Sequence, residues 1–398
     1  MTVTLLSQIL FLGALTIVGL LLSRFLKLEL TLACLASGFI AGLFLAEINF
    51  DTGIRADNLR DIVFFIILPV LIFEAAWHLK PTLIWSWLTP IITLATVGIL
   101  VGSFVMAGII YFAIDNPQYF PWIAALLAGS ILSATDPIAI VAQLRAIKAP
   151  DELAVLFEGE SLFNDATAVV LFTLILAMAT GEIDPEQDYL AYFSVVFFGG
   201  IFFGLVFGLI TTILCLLLAN SSATNLILTL SAFSSFYIAE HLIHVSGIMT
   251  VMVVALVTRF SFKEFENDLA QGVSHTWDWL GMLFNNLLFC IMGLVITINM
   301  FLEQWLAMLI AIVAALIART VSVFSCCLLI RPAKKVSIAW QILLVWGGLR
   351  GAIAIALVLS LPVSLPYWWV IQSMVFGVVI FSLLVQGTTN KHLLKKLS

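Results

Sequence analysis

The sequence predicts an all-α membrane protein of about thirteen transmembrane helices, two of them interrupted. Composition, the length of the apolar runs and the placement of basic residues carry that reading. Of 398 residues, 63% are hydrophobic and only 10% charged, and the mean hydropathy is +1.17. Soluble domains carry about 25% charged residues, so this chain is built for hydrocarbon. Its pI of 5.3 gives no reason to expect a nucleic-acid partner.

A helix needs about 20 apolar residues to cross the hydrocarbon core. By that ruler the spans fall near 3–23, 28–47, 61–79, 88–113, 120–144, 153–178, 190–218, 223–244, 246–260, 277–301, 304–330, 338–361 and 366–387. The first run has no basic residue before it and no small-residue cleavage site, which predicts a retained helix rather than a signal peptide. With the amino terminus outside, 13 of the 17 basic residues fall on cytoplasmic connections: Arg24, Lys27, Lys80, Arg145, Lys148, Arg259, Lys263, Arg331, Lys334, Lys335, Lys391, Lys395 and Lys396. Arg55 and Arg60 fall outside, and Arg319 and Arg350 lie within spans. This asymmetry predicts an external amino terminus and a cytoplasmic carboxyl terminus in the cell membrane.

The connections are short. The acidic loop from Glu182 to Asp188 is expected to face outward. The longest polar stretch, Ser261 to His275, reads as an amphipathic cytoplasmic connector with Phe262 and Phe265 at the membrane interface. Residues 388–398 read as a short basic cytoplasmic tail, and no soluble domain or soluble partner is expected. Cys34, Cys215, Cys290, Cys326 and Cys327 sit in apolar runs without metal-ligand spacing, as packing residues do.

The informative residues are the acids at membrane depth. A carboxylate there costs at least about 2.5 kcal/mol on insertion scales, so it is rare unless it handles ions or protons. Span five reads Ser133-Ala134-Thr135-Asp136-Pro137. Proline removes a donor and frees the carbonyl four residues back, and Thr135 and Asp136 add oxygens at the same depth. Broken helices of this kind line cavities or ion sites; the plainer alternative is a proline kink with a satisfied polar cap.

Span six places Ser161, Asn164 and Asp165 on one helix face. Glu158 shares that face about 10 Å nearer the cytoplasm, either gathering cations in a funnel or simply solvated at the helix start. Glu160 points elsewhere and needs its own partner. Span twelve offers one in Trp346-Gly347-Gly348-Leu349-Arg350-Gly351, where glycines around an arginine suggest a second weakened helix. Pairing Glu160 with Arg350 would spare both an uncompensated buried charge; an anion site at Arg350 is the alternative.

In span three, Glu74 is too deep to be casually exposed. It reads as an outer ligand or gate, or as a glutamate bonded to a neighbouring helix. Glu240 beside His241 reads as interfacial structure, and His244 has no assigned role. Arg319 needs a partner that the sequence does not identify. Asn285 and Asn286 are expected to bond across helices, and Gly199, Gly200, Gly204 and Gly208 to mark close helix packing.

These motifs together resemble the monovalent cation/proton antiporters of the sodium/proton exchanger type, the NhaP and NHE branch. The matching segments are Ala134-Thr135-Asp136-Pro137, Glu158 to Asp165, Trp346 to Ala352, and Leu68-Pro69 with Phe73-Glu74, and they span nearly the whole chain. The resemblance implies a homodimer in the lipid membrane, with an inverted repeat whose spans five and twelve are unwound and cross. It implies one transmembrane domain over residues 1–387. An interface part covers about 1–80 and 190–301, and a transport bundle about 88–178 and 304–387. It also implies that Asp165 binds cation or proton and that Asp136 is a second acidic ligand. Thr135 and Ser161 would supply oxygens, with a monovalent metal cation at these four residues. Asn164 would steady the crossing, with Pro137, Gly348 and Gly351 shaping the breaks. Glu160 and Arg350 match a structural ion pair, and Glu74 a position linked to the site through water.

Asn164-Asp165 stands where electrogenic relatives carry two aspartates, which suggests electroneutral one-for-one exchange of a cation (sodium first, then lithium or potassium) for a proton, without cofactor or enzymatic chemistry. Asp136 complicates that inference. A channel would keep the ion site but need a continuous pore. An intramembrane aspartyl protease would need two carboxylates around an activated water, and the motifs here do not resemble one.

Overall fold

The computed structural model describes residues 2–47, 59, 61–79, 81–114, 120–182, 188–218, 220–262, 268–330 and 336–397. Among them there is no strand, and the chain runs through eighteen helices. These are α1 (Thr2–Leu26), α2 (Leu30–Glu47), α3 (Leu68–Trp77), α4 (Pro81–Ala95), α5 (Val97–Ile114), α6 (Trp122–Ser133), α7 (Ile138–Ala146), α8 (Asp151–Thr180) and α9 (Tyr189–Leu218). The second half holds α10 (Ser221–Ile238), α11 (Gly247–Ser261), α12 (Asp268–Val295), α13 (Ile298–Glu303), α14 (Trp305–Ile330), α15 (Ile338–Gly347), α16 (Ala352–Leu359), α17 (Trp368–Phe381) and α18 (Gly387–Leu397). Three π-helical turns, Ile62–Ile67, Ala239–Ile243 and Ser382–Gln386, extend α3, α10 and α17.

Eight helices among the described residues are long and apolar enough to cross a membrane. Five shorter apolar helices accompany them, and two of these, Trp122–Ser133 and Ile338–Gly347, stop at chain breaks. Span five is therefore α6 and α7 parted at Ala134–Pro137, and span twelve is α15 and α16 parted at Gly348–Gly351. The expected pair of interrupted helices is present.

Local chemistry sets many of the ends. Asn220 caps α10 by accepting from Ser222 and Ala223 amides at 3.0 and 3.1 Å. Ser246 and Ser337 cap α11 and α15, each accepting at 3.2 Å. Such side-chain oxygens satisfy amides that have no partner within the helix. Helix α8 starts after Pro150 with Asp151 and Glu152 in its first turn, where the helix dipole favours acids. It ends at Gly181, the described glycine with a positive φ, at 75°.

Helix α2 packs on α12, α9 on α11, α5 on α6 and α14, and α4 on α8. On α9, Gly200, Gly204 and Gly208 meet α11 so closely that an added Cβ would lie 2.7–3.0 Å from its nearest neighbour; the glycine stripe is packing, as the sequence suggested. The opposite face of α9 exposes Phe198, Phe202 and Leu209, surface suited to hydrocarbon. A large apolar core runs through most of the helices, and a second lies beneath α7 and the near ends of α4, α8, α14 and α15. The tail joins this second core: α18 is helical and buries Leu394 in it.

One expectation fails here. Phe262 is 1% exposed and packs its ring 6.1 Å from Trp77, so it is core and not a membrane-interface residue. Aromatic content in a polar stretch does not say which way the ring turns. From Asp268 onward the same stretch already belongs to α12, and Phe265 lies outside the described residues. So do Lys80, Lys263, Arg331, Lys334, Lys335, Arg55 and Arg60.

Candidate functional site

The two breaks meet and satisfy each other. The Asp136 amide donates to the Leu349 carbonyl at 2.8 Å, an isolated antiparallel bridge between two unwound segments. Arg350 sends Nη1 to the carbonyls of Ser133 and Ala134 at 3.1 and 2.9 Å. Those carbonyls end α6 and have no helical partner, and a cation at a helix carboxyl end is favoured. Ser382 holds Arg350 in turn, accepting from its amide at 3.2 Å.

Asp136 sits between two helix amino termini. Its Oδ1 accepts from the Ile138 amide at 3.0 Å, at the start of α7, and its carboxylate also receives the Ala352 amide at the start of α16. Pro137 precedes α7, and its carbonyl accepts the Val141 amide at 2.8 Å, so the proline starts the second half-helix. Gly351 is the position where no side chain fits, because a Cβ would collide with the Asp136 carboxyl. At Gly348 a Cβ would lie 2.8 Å from Arg319 Nε.

Helix α8 brings the remaining residues. Ser161 Oγ donates to the Thr135 carbonyl. Asn164 Nδ2 donates to Thr135 Oγ1 at 3.2 Å and to Glu160 Oε1 at 2.9 Å. Asp165 Oδ1 is buried without a hydrogen-bond partner. It faces a cavity of about 320 Å³ lined also by Asp136, Thr135, Ser161, Glu158 and Glu74. The five residues expected to bind the ion thus share one cavity. A bare carboxylate in such a place is costly, and a cation or a proton relieves the cost.

The expected Glu160–Arg350 pair is not formed. Glu160 is held by Arg319, with Nη1 to Oε1 at 2.8 Å and Nη2 to Oε2 at 3.0 Å, and both side chains are buried. Arg319 also donates Nε to the Leu344 carbonyl at 3.2 Å. A two-pronged guanidinium matches a carboxylate, whereas the Arg350 guanidinium is engaged by the freed carbonyls of α6. This also answers what Arg319 pairs with. The signal was present as two intramembrane arginines and one surplus acid, but the choice between them depends on which arginine the tertiary fold brings within reach of Glu160.

Glu158 forms an ion pair with Arg145 where the cavity reaches the exposed end of α7. Glu74 lies across the cavity on α3, near His78. The sequence reading missed His78 and Asp278 as cavity residues. Asn285 was read as bonding across helices, yet its Oδ1 is buried without a partner and it lines the cavity. The period of α12 carried the signal, because Asp278, Gly281 and Asn285 share a face. Away from the cavity, Glu240 caps the start of α11 by accepting the Gly247 amide at 2.8 Å, and His241 stacks on Tyr237.

Comparison with known proteins agrees with this geometry. Against the solved sodium proton antiporter MjNhaP1 of Methanocaldococcus jannaschii, the chain aligns with a TM-score of 0.86 over 99% of both chains, at 20% identity. It is 34% identical to the Na(+)/H(+) antiporter ApNhaP of Aphanothece halophytica over 90% of this chain and 68% of that protein. It is 29% identical to the Na(+)/H(+) antiporter NhaP of Pseudomonas aeruginosa, over 94% of this chain and 92% of that one. The family described as "Sodium/hydrogen exchanger, transmembrane" matches residues 12–396. The chain therefore belongs to the transmembrane sodium/hydrogen exchanger family.

Proposed function

We propose that this protein exchanges a monovalent cation, sodium first, for a proton, with Asp165 holding one or the other in turn. The observation that carries this is the buried, partnerless Oδ1 of Asp165, whose side chain faces the cavity beside Asp136 where two broken helices cross. The fully buried charges behind it are spent, Glu160 on Arg319 and Arg350 on carbonyls. Asp165 keeps an oxygen that no protein group takes, free for a mobile cation. Asp136, the Thr135 and Ser161 oxygens and Glu74 complete a hard oxygen environment suited to an alkali ion.

Asn164 cannot release a proton, and it is tied to Glu160 and Thr135. One titrating carboxylate supports electroneutral one-for-one exchange. Helices α4–α8 and α14–α17 act as the transport bundle and move against α1–α3 and α9–α12, exposing the site to each side in turn. The charge asymmetry supports an amino terminus outside and a cavity mouth, at Arg145 and Glu158, that faces the cytoplasm. The protein works as a homodimer in the cell membrane and serves pH and sodium homeostasis, with no cofactor beyond its transported ions.

The test is proton flux in proteoliposomes under sodium, lithium and potassium gradients, with and without a potential clamp. Wild-type flux is expected to follow a cation gradient and ignore the potential. Asp165→Asn is expected to lose it by about a hundredfold or more while the protein still inserts and folds. Potential-dependent flux would overturn electroneutrality, and normal flux in Asp165→Asn would overturn the site.

A further inference from the structure

On the same cavity, Glu74 also belongs to a second constellation, with His78 and Asp278. One donor atom from each lies within 4.8 Å of the other two. His78 Nε2 is 2.9 Å from Asp278 Oδ1 and 3.7 Å from Glu74 Oε1. That nitrogen is buried and has no aligned hydrogen-bond partner.

Two packed helices set the geometry. Glu74 and His78 are four residues apart and share one face of the α3 end, the spacing by which one helix turn offers two ligands to a metal. Asp278 faces them from α12. Three residues on, Gly281 leaves room for Glu74, since a Cβ there would lie 2.7 Å from the Glu74 side chain. The stacking of Phe73 on Trp277, with ring centroids 4.0 Å apart, fixes the two helices beside the cluster.

We propose that Glu74, His78 and Asp278 form a binding site for a borderline divalent cation of the zinc class at the mouth of the transport cavity. One imidazole nitrogen and two carboxylates are donors of the types zinc accepts, and three of them leave a fourth position to water. Two carboxylates balance the charge of a divalent ion, and the nitrogen favours zinc, cobalt or cadmium over calcium and magnesium, which take oxygen ligands. The bound metal cancels the negative charge that draws alkali cations past Glu74 and Asp278 toward Asp165. It therefore acts as a brake on cation entry.

The experiment is calorimetric titration of the purified full chain with Zn2+, backed by the visible absorption of Co2+, which reports tetrahedral nitrogen and oxygen ligation. One Zn2+ per chain is expected, weakened by about tenfold or more in His78→Ala and in Asp278→Asn, and unchanged in His392→Ala. Asp278 is more than half exposed, so its amide variant keeps the test usable if the histidine variant does not fold. No Zn2+ binding to wild type, or equal binding by both site variants, overturns the proposal. So does Zn2+ displaced equally well by Ca2+. Binding is measured without an ion gradient, so its failure leaves the exchange reading untouched. In vesicles, Zn2+ on the cavity side is expected to raise the cation concentration for half-maximal flux; an unchanged value would sink the brake.

Discussion

The two helix breaks are built from opposite materials. The first, Ala134–Pro137, is acidic and rich in oxygen; the second, Gly348–Gly351, is glycine-rich around one arginine. In the second break the charge is consumed locally, because Arg350 is buried and bonded to the carbonyls of Ser133 and Ala134. In the first, Asp136 is only partly covered and looks into the cavity. One break is a structural fastening, and the other keeps its carboxylate open to the cavity. An intramembrane charge thus does not declare its role by depth alone; what decides is whether the surrounding backbone uses it up.

The sharpest way to break this comparison is to ask which arginine Glu160 depends on. Removing one partner of a buried ion pair costs about 3–5 kcal/mol, so Arg319→Gln is expected to lower the thermal midpoint in detergent most. Adding Glu160→Gln should recover part of the loss. Arg350→Met should cost less, about 1–3 kcal/mol in all, for the Ser133 and Ala134 carbonyls left without a donor, with little coupling to Glu160→Gln. Strong coupling to Arg350 instead would reverse the assignment of fastening and pair.

A smaller stability effect and a large functional one are expected at Gly351→Ala. The new Cβ displaces the Asp136 carboxyl, and misplacement by about 1 Å can cost a hundredfold in rate. Normal flux would show that Asp136 need not sit between the two helix starts. The smallest effect is expected at the cavity mouth. Arg145 is mostly exposed in its pair with Glu158, so Arg145→Ala should change stability by less than about 1 kcal/mol. Its flux should then lose part of its salt dependence, read from initial rates at two ionic strengths.

Much of this arrangement was legible in the chain. Proline in an apolar run, beside Thr135 and Asp136, located one break; the glycines around Arg350 located the other. The i, i+3, i+4 spacing in span six placed Ser161, Asn164 and Asp165 together. Pairing was not legible, because a buried charge announces its need for a partner but not the partner's helix. Arg319 won Glu160 through the packing of α14 and α15 near α8, which no local pattern encodes. His78 and Asp278 were missed for a similar reason: each is unremarkable alone, and only the meeting of α3 with α12 makes them neighbours of the cavity. Phe262 shows the converse, a residue whose local context pointed to the surface while tertiary packing drew it in.

The hydrogen bonds between the breaks run both ways. Asp136 gives its amide to the second break, and Arg350 gives its guanidinium to the first. Neither interruption is solvent for itself; each is the other's missing turn of helix. The two segments are therefore a single heritable unit split across more than two hundred residues of sequence. A chimera whose second break lacks the arginine leaves the Ser133 and Ala134 carbonyls without their donor. Grafting ion selectivity between such proteins requires moving both segments together.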